Sequence, residues 1–226
     1  MIKRVRKATA EYATSETVVW WDMNNCPLPS DTHFFCILCY KNLGYNGPLT
    51  IVAAGNLYGI PYDFLKTLSS TGVVLKHFTS RLSVIVPSYL HSRTSHSPLS
   101  IMLITTNSGL LDSIIRKIYM GVLIGYNLLL AYPPSYEPED PHPSSLVSVG
   151  GEWLWDRSSL LKVSGLEEEE TRRLVVDTTS CEMFSCASCP VCPFSTFENF
   201  IEHLEDENHK TIWRLIMKNM CFPSFI

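Results

Sequence analysis

An α/β fold built on a parallel sheet and layered as a three-layer sandwich, with a small C-terminal module after it, is predicted by three features. Five apolar runs of strand length, at 17–22, 49–54, 73–77, 100–105 and 126–132, are rich in Val, Ile, Leu and aromatic residues. Segments with helical spacing or helix-start signals, at 32–43, 61–70 and 110–121, lie between them. Strands that alternate with helices imply βαβ crossovers, and crossovers imply parallel pairing. The third feature lies beyond the last helix, where Cys181, Cys186, Cys189, Cys192, His203 and His209 crowd into one stretch at spacings that suit a metal ion.

The chain of 226 residues, 46% hydrophobic with mean hydropathy +0.08, can bury the core of one α/β domain and carry a small appendage. Its longest apolar tract, Met120–Tyr132, is too short for a membrane span and is broken by Gly125 and Asn127. Residues 1–16 contain Lys3, Arg4, Arg6 and Lys7 without an apolar stretch, so no secretory signal is expected and the protein reads as soluble and intracellular. The net charge of −4 is uneven. Residues 17–132 hold seven Lys/Arg against four Asp/Glu, and residues 133–226 hold seven against sixteen. The front half suits a phosphate backbone and the back half does not. Clustered cysteines in a chain read as intracellular point to metal or free thiols more than to disulfides.

The first run, Thr17–Asp22, ends in Asp22-Met23-Asn24-Asn25-Cys26-Pro27-Leu28-Pro29, a turn that neither strand nor helix continues through. Asp22 therefore stands at the carboxyl edge of the first strand, where open α/β sheets bind ligands; equally, an Asp there caps the turn that follows. The spacing predicts a helix over Thr32–Leu43 with Gly44 as its C-cap, and Cys36 and Cys39 on it read as core thiols. Leu49–Ala54 forms the second strand and Gly55-Asn56 closes it at the edge that carries Asp22. Pro61 starts a helix to about Ser70, with Asp63 as a helix-start acid, and Val73–His77 is the third strand. Residues 80–98 read as irregular or weakly helical. Ser100–Thr105 is a buried strand that runs into Thr106-Asn107-Ser108-Gly109, the helix Leu110–Gly121 follows, and Tyr126–Tyr132 is the fifth strand. Five prolines and three acids mark Pro133–Ser145 as a surface loop. Over 146–161, Trp153, Leu154, Leu160 and Leu161 read as one face of a helix packed back on the domain. The expected divisions are a tail over 1–16, the α/β domain over 17–161, a linker over 162–183, the Cys/His module over 184–212 and a tail over 213–226.

The stretch Val19-Trp20-Trp21-Asp22-Met23-Asn24-Asn25-Cys26-Pro27 resembles the opening signature of the NYN domain, a branch of the PIN-like ribonucleases. The resemblance covers about Thr17–Ser159. It implies a PIN-like sandwich in which strand-end acids hold Mg²⁺ or Mn²⁺ and activate water for attack on RNA. Carried over position by position, Asp22 takes the first acidic place and Asn25 the acidic-or-amide place. Asn56 stands where the family has Gly-Asp, and Asn107 lies in the segment that is usually Ser/Thr-Gly-Asp-x-Asp. Asp112, one turn into the following helix, joins only if it faces the cleft. The site implied, Asp22, Asn25, Asn56, Asn107 and Asp112, departs from the family pattern: three of its members are amides, and Mg²⁺ binds weakly where charge is missing.

The Cys/His stretch reads Cys189-x2-Cys192-x10-His203-x5-His209, which resembles a C2H2-type zinc finger. Phe194, Phe197, Phe200 and Leu204 would fill a ββα or helical module that has little core without Zn²⁺. A rival reading takes Cys186 with Cys189, with thirteen residues between Cys189 and His203. Pro190-Val191, similar to the usual knuckle, favours Cys189 with Cys192. The helix carries Glu198, Glu202, Glu205, Asp206 and Glu207, which disfavours a DNA groove and suits a protein partner. The whole resembles plant NYN proteins with an appended finger and, more distantly, the limkain-b/meiosis-arrest regulators of RNA. The expected function is an RNA-associated, metal-dependent endoribonuclease with a degenerate acidic site, acting on single-stranded RNA in the regulation of gene expression. The alternative is an inactive RNA- or protein-binding module on a nuclease scaffold. The expected compartment is the cytoplasm or nucleus, with peroxisomes implied by the more distant resemblance.

Overall fold

The computed structural model describes residues 4–5, 7–26, 43–78, 86, 98–120, 125–133, 149–154, 184–187, 189 and 193–211. Residues 32–42 of the expected helix, most of the segment 80–98, the linker and the tail over 213–226 lie outside these residues. Among the described residues eight strands form one sheet: β1 (Arg4–Val5), β2 (Glu16–Asp22), β3 (Leu49–Gly55), β4 (Val74–His77), β5 (Leu99–Ile104), β6 (Tyr126–Tyr132), β7 (Val149–Leu154) and β8 (Phe184–Cys186). Their order is β1-β7-β6-β5-β2-β3-β4-β8. The seven strands from β7 to β8 run parallel, and β1 joins the edge antiparallel to β7. The described helices are α1 (Tyr62–Ser70), α2 (Ser108–Tyr119) and α3 (Phe197–Glu205).

Period-2 alternation divides each strand between two cores. On one face Val19, Trp21, Ile51 and Ala53 pack with Leu65 and Leu68 of α1 and with Phe197, Phe200 and Leu204 of α3. On the other, Val18, Trp20, Val52 and Leu103 pack with Leu110, Leu111, Ile114 and Ile115 of α2, an apolar stripe at helical spacing. Each such Leu or Ile stabilises the fold by about 2 kcal/mol on the apolar-area scale. Among the described residues no helix is long and apolar enough to cross a membrane.

The chain lays β2, β3 and β4 outward in one direction, then returns past β2 to lay β5, β6 and β7 in the other. The order reverses between β2 and β5, and crevices in open α/β sheets form at the carboxyl ends of the strands that flank such a reversal. Asp22 ends β2 there, and Thr105 follows directly on β5.

Besides β1, which takes Arg4 and Val5 from the expected N-terminal tail, two elements differ from expectation. Residues 149–154, expected as part of a helix, form β7 beside β6. Gly150-Gly151 lacks the β-branched residues that announce a strand. The glycine is required instead by the close approach of β6, since a Cβ on Gly150 would overlap the Asn127 carboxamide. That carboxamide donates to Tyr45 Oη at 2.9 Å and to Ser100 Oγ at 3.2 Å. The second is β8. This three-residue strand of the Cys/His segment pairs with β4, placing Cys186 opposite His77, and Phe184 also bridges to Phe194.

Candidate functional site

At the crevice, Asp22 is buried and both of its carboxylate oxygens are engaged. Oδ2 accepts from Thr105 Oγ1 at 2.8 Å and from Asn25 Nδ2 at 2.7 Å, while Oδ1 accepts from the Asn25 backbone N–H at 3.2 Å. The Cys26 N–H donates to the Asp22 carbonyl at 2.9 Å and the Trp21 indole N–H donates to the Cys26 carbonyl at 2.8 Å, which closes the turn onto the sheet. Cys26 itself is fully buried, and burial, with Asp22 nearby, pushes its thiol up to about 12. It is a core thiol rather than a nucleophile.

Asn25, Asn56 and Asn107 come to the same sheet edge as Asp22, each held by local hydrogen bonding. Asn56 Oδ1 accepts from the Tyr58 N–H at 3.1 Å, forming a turn, and the Asn56 backbone is clasped by Asn24, which accepts from its N–H at 2.6 Å and donates to its carbonyl at 3.0 Å. Gly55 permits this clasp, because its φ of 155° and the Asn24 carboxamide against it leave no room for a Cβ. Asn107 is the N-cap of α2, its Oδ1 accepting from the Leu110 N–H at 3.0 Å. Asp112 lies one turn into α2 and is exposed. Among the described residues no three His, Cys, Asp or Glu side chains converge at Asp22. Among the described residues Asp22 thus brings a carboxylate held by three hydrogen bonds, without the further carboxylates on which octahedral Mg²⁺ coordination by protein oxygens draws.

A second constellation stands at the β4–β8 edge. Cys186, Cys189, His203 and His209 each offer a ligand atom, and the four atoms lie within 4.8 Å of one another. Tetrahedral Zn²⁺ sets its sulfur and nitrogen ligands about 3.3–3.8 Å apart. Cys186 Sγ and His209 Nε2 are 3.2 Å apart, close to that spacing. Two Cys and two His form the borderline-soft set that suits Zn²⁺, and His203 Nε2 is buried with no hydrogen-bond partner, as a ligand atom facing an ion would be. Burial lowers the pKa of both His203 and His209 and so favours the neutral imidazole that a metal requires. These four residues are the Cys186 reading of the motif; Cys192 lies outside the described residues.

Elements from far apart position the ligands. Thr196 caps α3 by accepting from the Asn199 N–H at 3.1 Å, and Phe200 stacks between Phe184 and Phe194, which fixes the face that presents His203. β8 brings Cys186 beside β4, and the Ala187 N–H donates to the His77 carbonyl at 2.9 Å. Residues 207–211 are helical and return His209 to the cluster, its ring 4.2 Å from that of His203. Tyr58 and His77 back the cluster, and the motif spacing did not single them out. The Tyr58 hydroxyl hydrogen-bonds to His209 Nδ1. The His77 ring lies 5.4 Å from the His209 ring, and burial, with His209 and His203 beside it, pushes His77 down to about 3. A histidine at the very end of a strand was the only sequence signal for it.

No protein-family model matches the chain, and no curated protein matches it either.

Proposed function

We propose that this chain is an RNA-associated protein on an NYN-like, PIN-type scaffold whose crevice holds single-stranded RNA without cutting it efficiently, and whose C-terminal segment is closed by Zn²⁺. One observation carries the reading. Among the described residues no group of three acids converges at Asp22 at the reversal of strand order, and Asn56 and Asn107 hold a turn and a helix cap where a nuclease of this kind uses acids. The placement of Asp22 supports descent from a metal-dependent endoribonuclease, and the missing charge supports loss of catalysis. The excess of cations over 17–132 favours a phosphate backbone. On α3 and just after it, Glu198, Glu202, Glu205, Asp206 and Glu207 are all exposed, which favours a protein partner over nucleic acid at that end.

Within this reading Cys186, Cys189, His203 and His209 would hold the zinc, and the ion supplies cross-linking between α3 and the sheet edge rather than chemistry. Single-stranded RNA incubated with the purified protein should be retained in a filter assay, with no cleavage added by Mg²⁺ or Mn²⁺. Metal-dependent cleavage that Asp22→Ala abolishes would restore the enzyme reading, and failure to retain RNA would remove the RNA partner.

A further inference from the structure

The metal centre does not end at its four ligands. Its wall on the sheet side is built by the segment that follows β3, and the chemistry there is directed. Asn56 Oδ1 accepts from the Tyr58 N–H, and the Leu57 N–H donates to His77 Nδ1 at 3.1 Å, so this short turn is fixed at both residues. The Tyr58 ring then stands edge-on to His77, centroids 4.7 Å apart at 78°, and its hydroxyl reaches His209 Nδ1, a residue 151 positions away in the chain. The other nitrogen of the same imidazole, Nε2, points at Cys186 Sγ. A neutral imidazole carries one proton, and it can coordinate only through the nitrogen that lacks it.

We propose that Tyr58 is a positioning residue of the metal centre: its hydroxyl accepts the Nδ1–H of His209 and so presents Nε2 to the ion. The inference rests on the metal-centre reading. Outer partners of this kind set the tautomer and ring orientation of metal-bound histidines, and losing them weakens metal binding by about 10–100-fold. A second observation agrees. His77 Nδ1 accepts a backbone N–H, which leaves its proton on Nε2, and that nitrogen is buried beside the cluster without a partner. The sheet therefore supplies a buried back wall for the C-terminal ligands, so metal loading ties residues 193–211 to the carboxyl end of β3.

The test uses the full chain, with Co²⁺ as a spectroscopic probe and Zn²⁺ in competition with a chelator. Wild type should bind one Co²⁺ with the absorption of a tetrahedral site of two sulfurs and two nitrogens; an absence of such binding overturns the metal centre and the proposal with it. Tyr58→Phe should keep the stoichiometry and lose about 10–100-fold in affinity. Tyr62→Phe is the control, because Tyr62 packs against Phe197 and does not reach the cluster. Imidazole nitrogen NMR of the zinc-loaded wild type reads the tautomer without any substitution, and there His209 should be protonated at Nδ1 and metal-bound at Nε2. Metal on Nδ1, or a Tyr58→Phe variant with wild-type affinity, overturns the assignment of Tyr58 while leaving the metal centre standing.

Discussion

Replacing Asp22 by alanine strands the Thr105 hydroxyl, which is buried, and two donors of Asn25 that now share its oxygens. An unsatisfied buried donor costs about 1–3 kcal/mol, so Asp22→Ala should lower stability by about 2 kcal/mol in urea denaturation, with or without divalent metal. Unchanged stability would mean that the carboxylate is kept for a ligand rather than for the turn. Cys26 makes a separate prediction. Its pKa is raised from 9.0 to about 12, so the folded state keeps a proton that the unfolded chain releases. The stability this contributes is fully present below about pH 9 and is lost as pH rises toward 12, and Cys26→Ala should flatten that alkaline decline in melts taken from pH 8 to 11. At this scale the sequence was legible in part. Asp22 at a strand end could be read from the Trp-Trp-Asp boundary, and the turn and cap preferences of Asn are general chemistry. What could not be read is that Thr105 completes the Asp22 shell, since a partner 83 positions away is set only by strand order.

The strands that were legible, β2, β3, β4, β5 and β6, are those with apolar runs, because burial on both faces leaves few polar positions in them. β7 was read as a helix because its need for glycine comes from Asn127 on the neighbouring strand and not from its own composition. β8 was not read at all, since three residues, Phe184–Cys186, carry no periodicity and become a strand only by adding to β4. The same pairing delivers Cys186 to His209 and so supports the Cys186 reading of the knuckle, whereas Cys192 lies outside the described residues and the Pro190-Val191 signal is purely local. If metal closes this edge, the Ala187 amide, which donates to the His77 carbonyl, should be protected from hydrogen exchange in the zinc-loaded protein and exchange freely in chelator. Cys186→Ser should reproduce the chelator result and Cys192→Ser should not. Protection of Ala187 that ignores both metal and Cys186 would show that β8 holds by sheet pairing alone.

At the scale of the molecule, one doubly wound sheet carries two constellations at its carboxyl edge: the crevice between β2 and β5, and the Cys/His cluster beyond β3 and β4 that could hold a metal ion. Asn56 belongs to both neighbourhoods, closing β3 beside Asp22 and aiming Tyr58 at His209. This makes a rebuilding experiment informative. Asp can accept the Tyr58 N–H and the Leu110 N–H as Asn does, and it caps helices as well as Asn, so the double variant Asn56→Asp, Asn107→Asp should fold and retain its zinc. It would add two carboxylates to the edge that carries Asp22. Without a divalent cation these like charges repel, and the melting point in magnesium- and manganese-free buffer should fall by a few degrees. Added Mn²⁺ binds only the native arrangement and should restore it by the mass-action term, about 2.7 kcal/mol at one hundred times the dissociation constant. Wild type, with Asn at both positions, should show no such response. A double variant whose melting point is indifferent to Mn²⁺ would mean that the three positions share an edge without sharing a site, and that the crevice was never built for a metal.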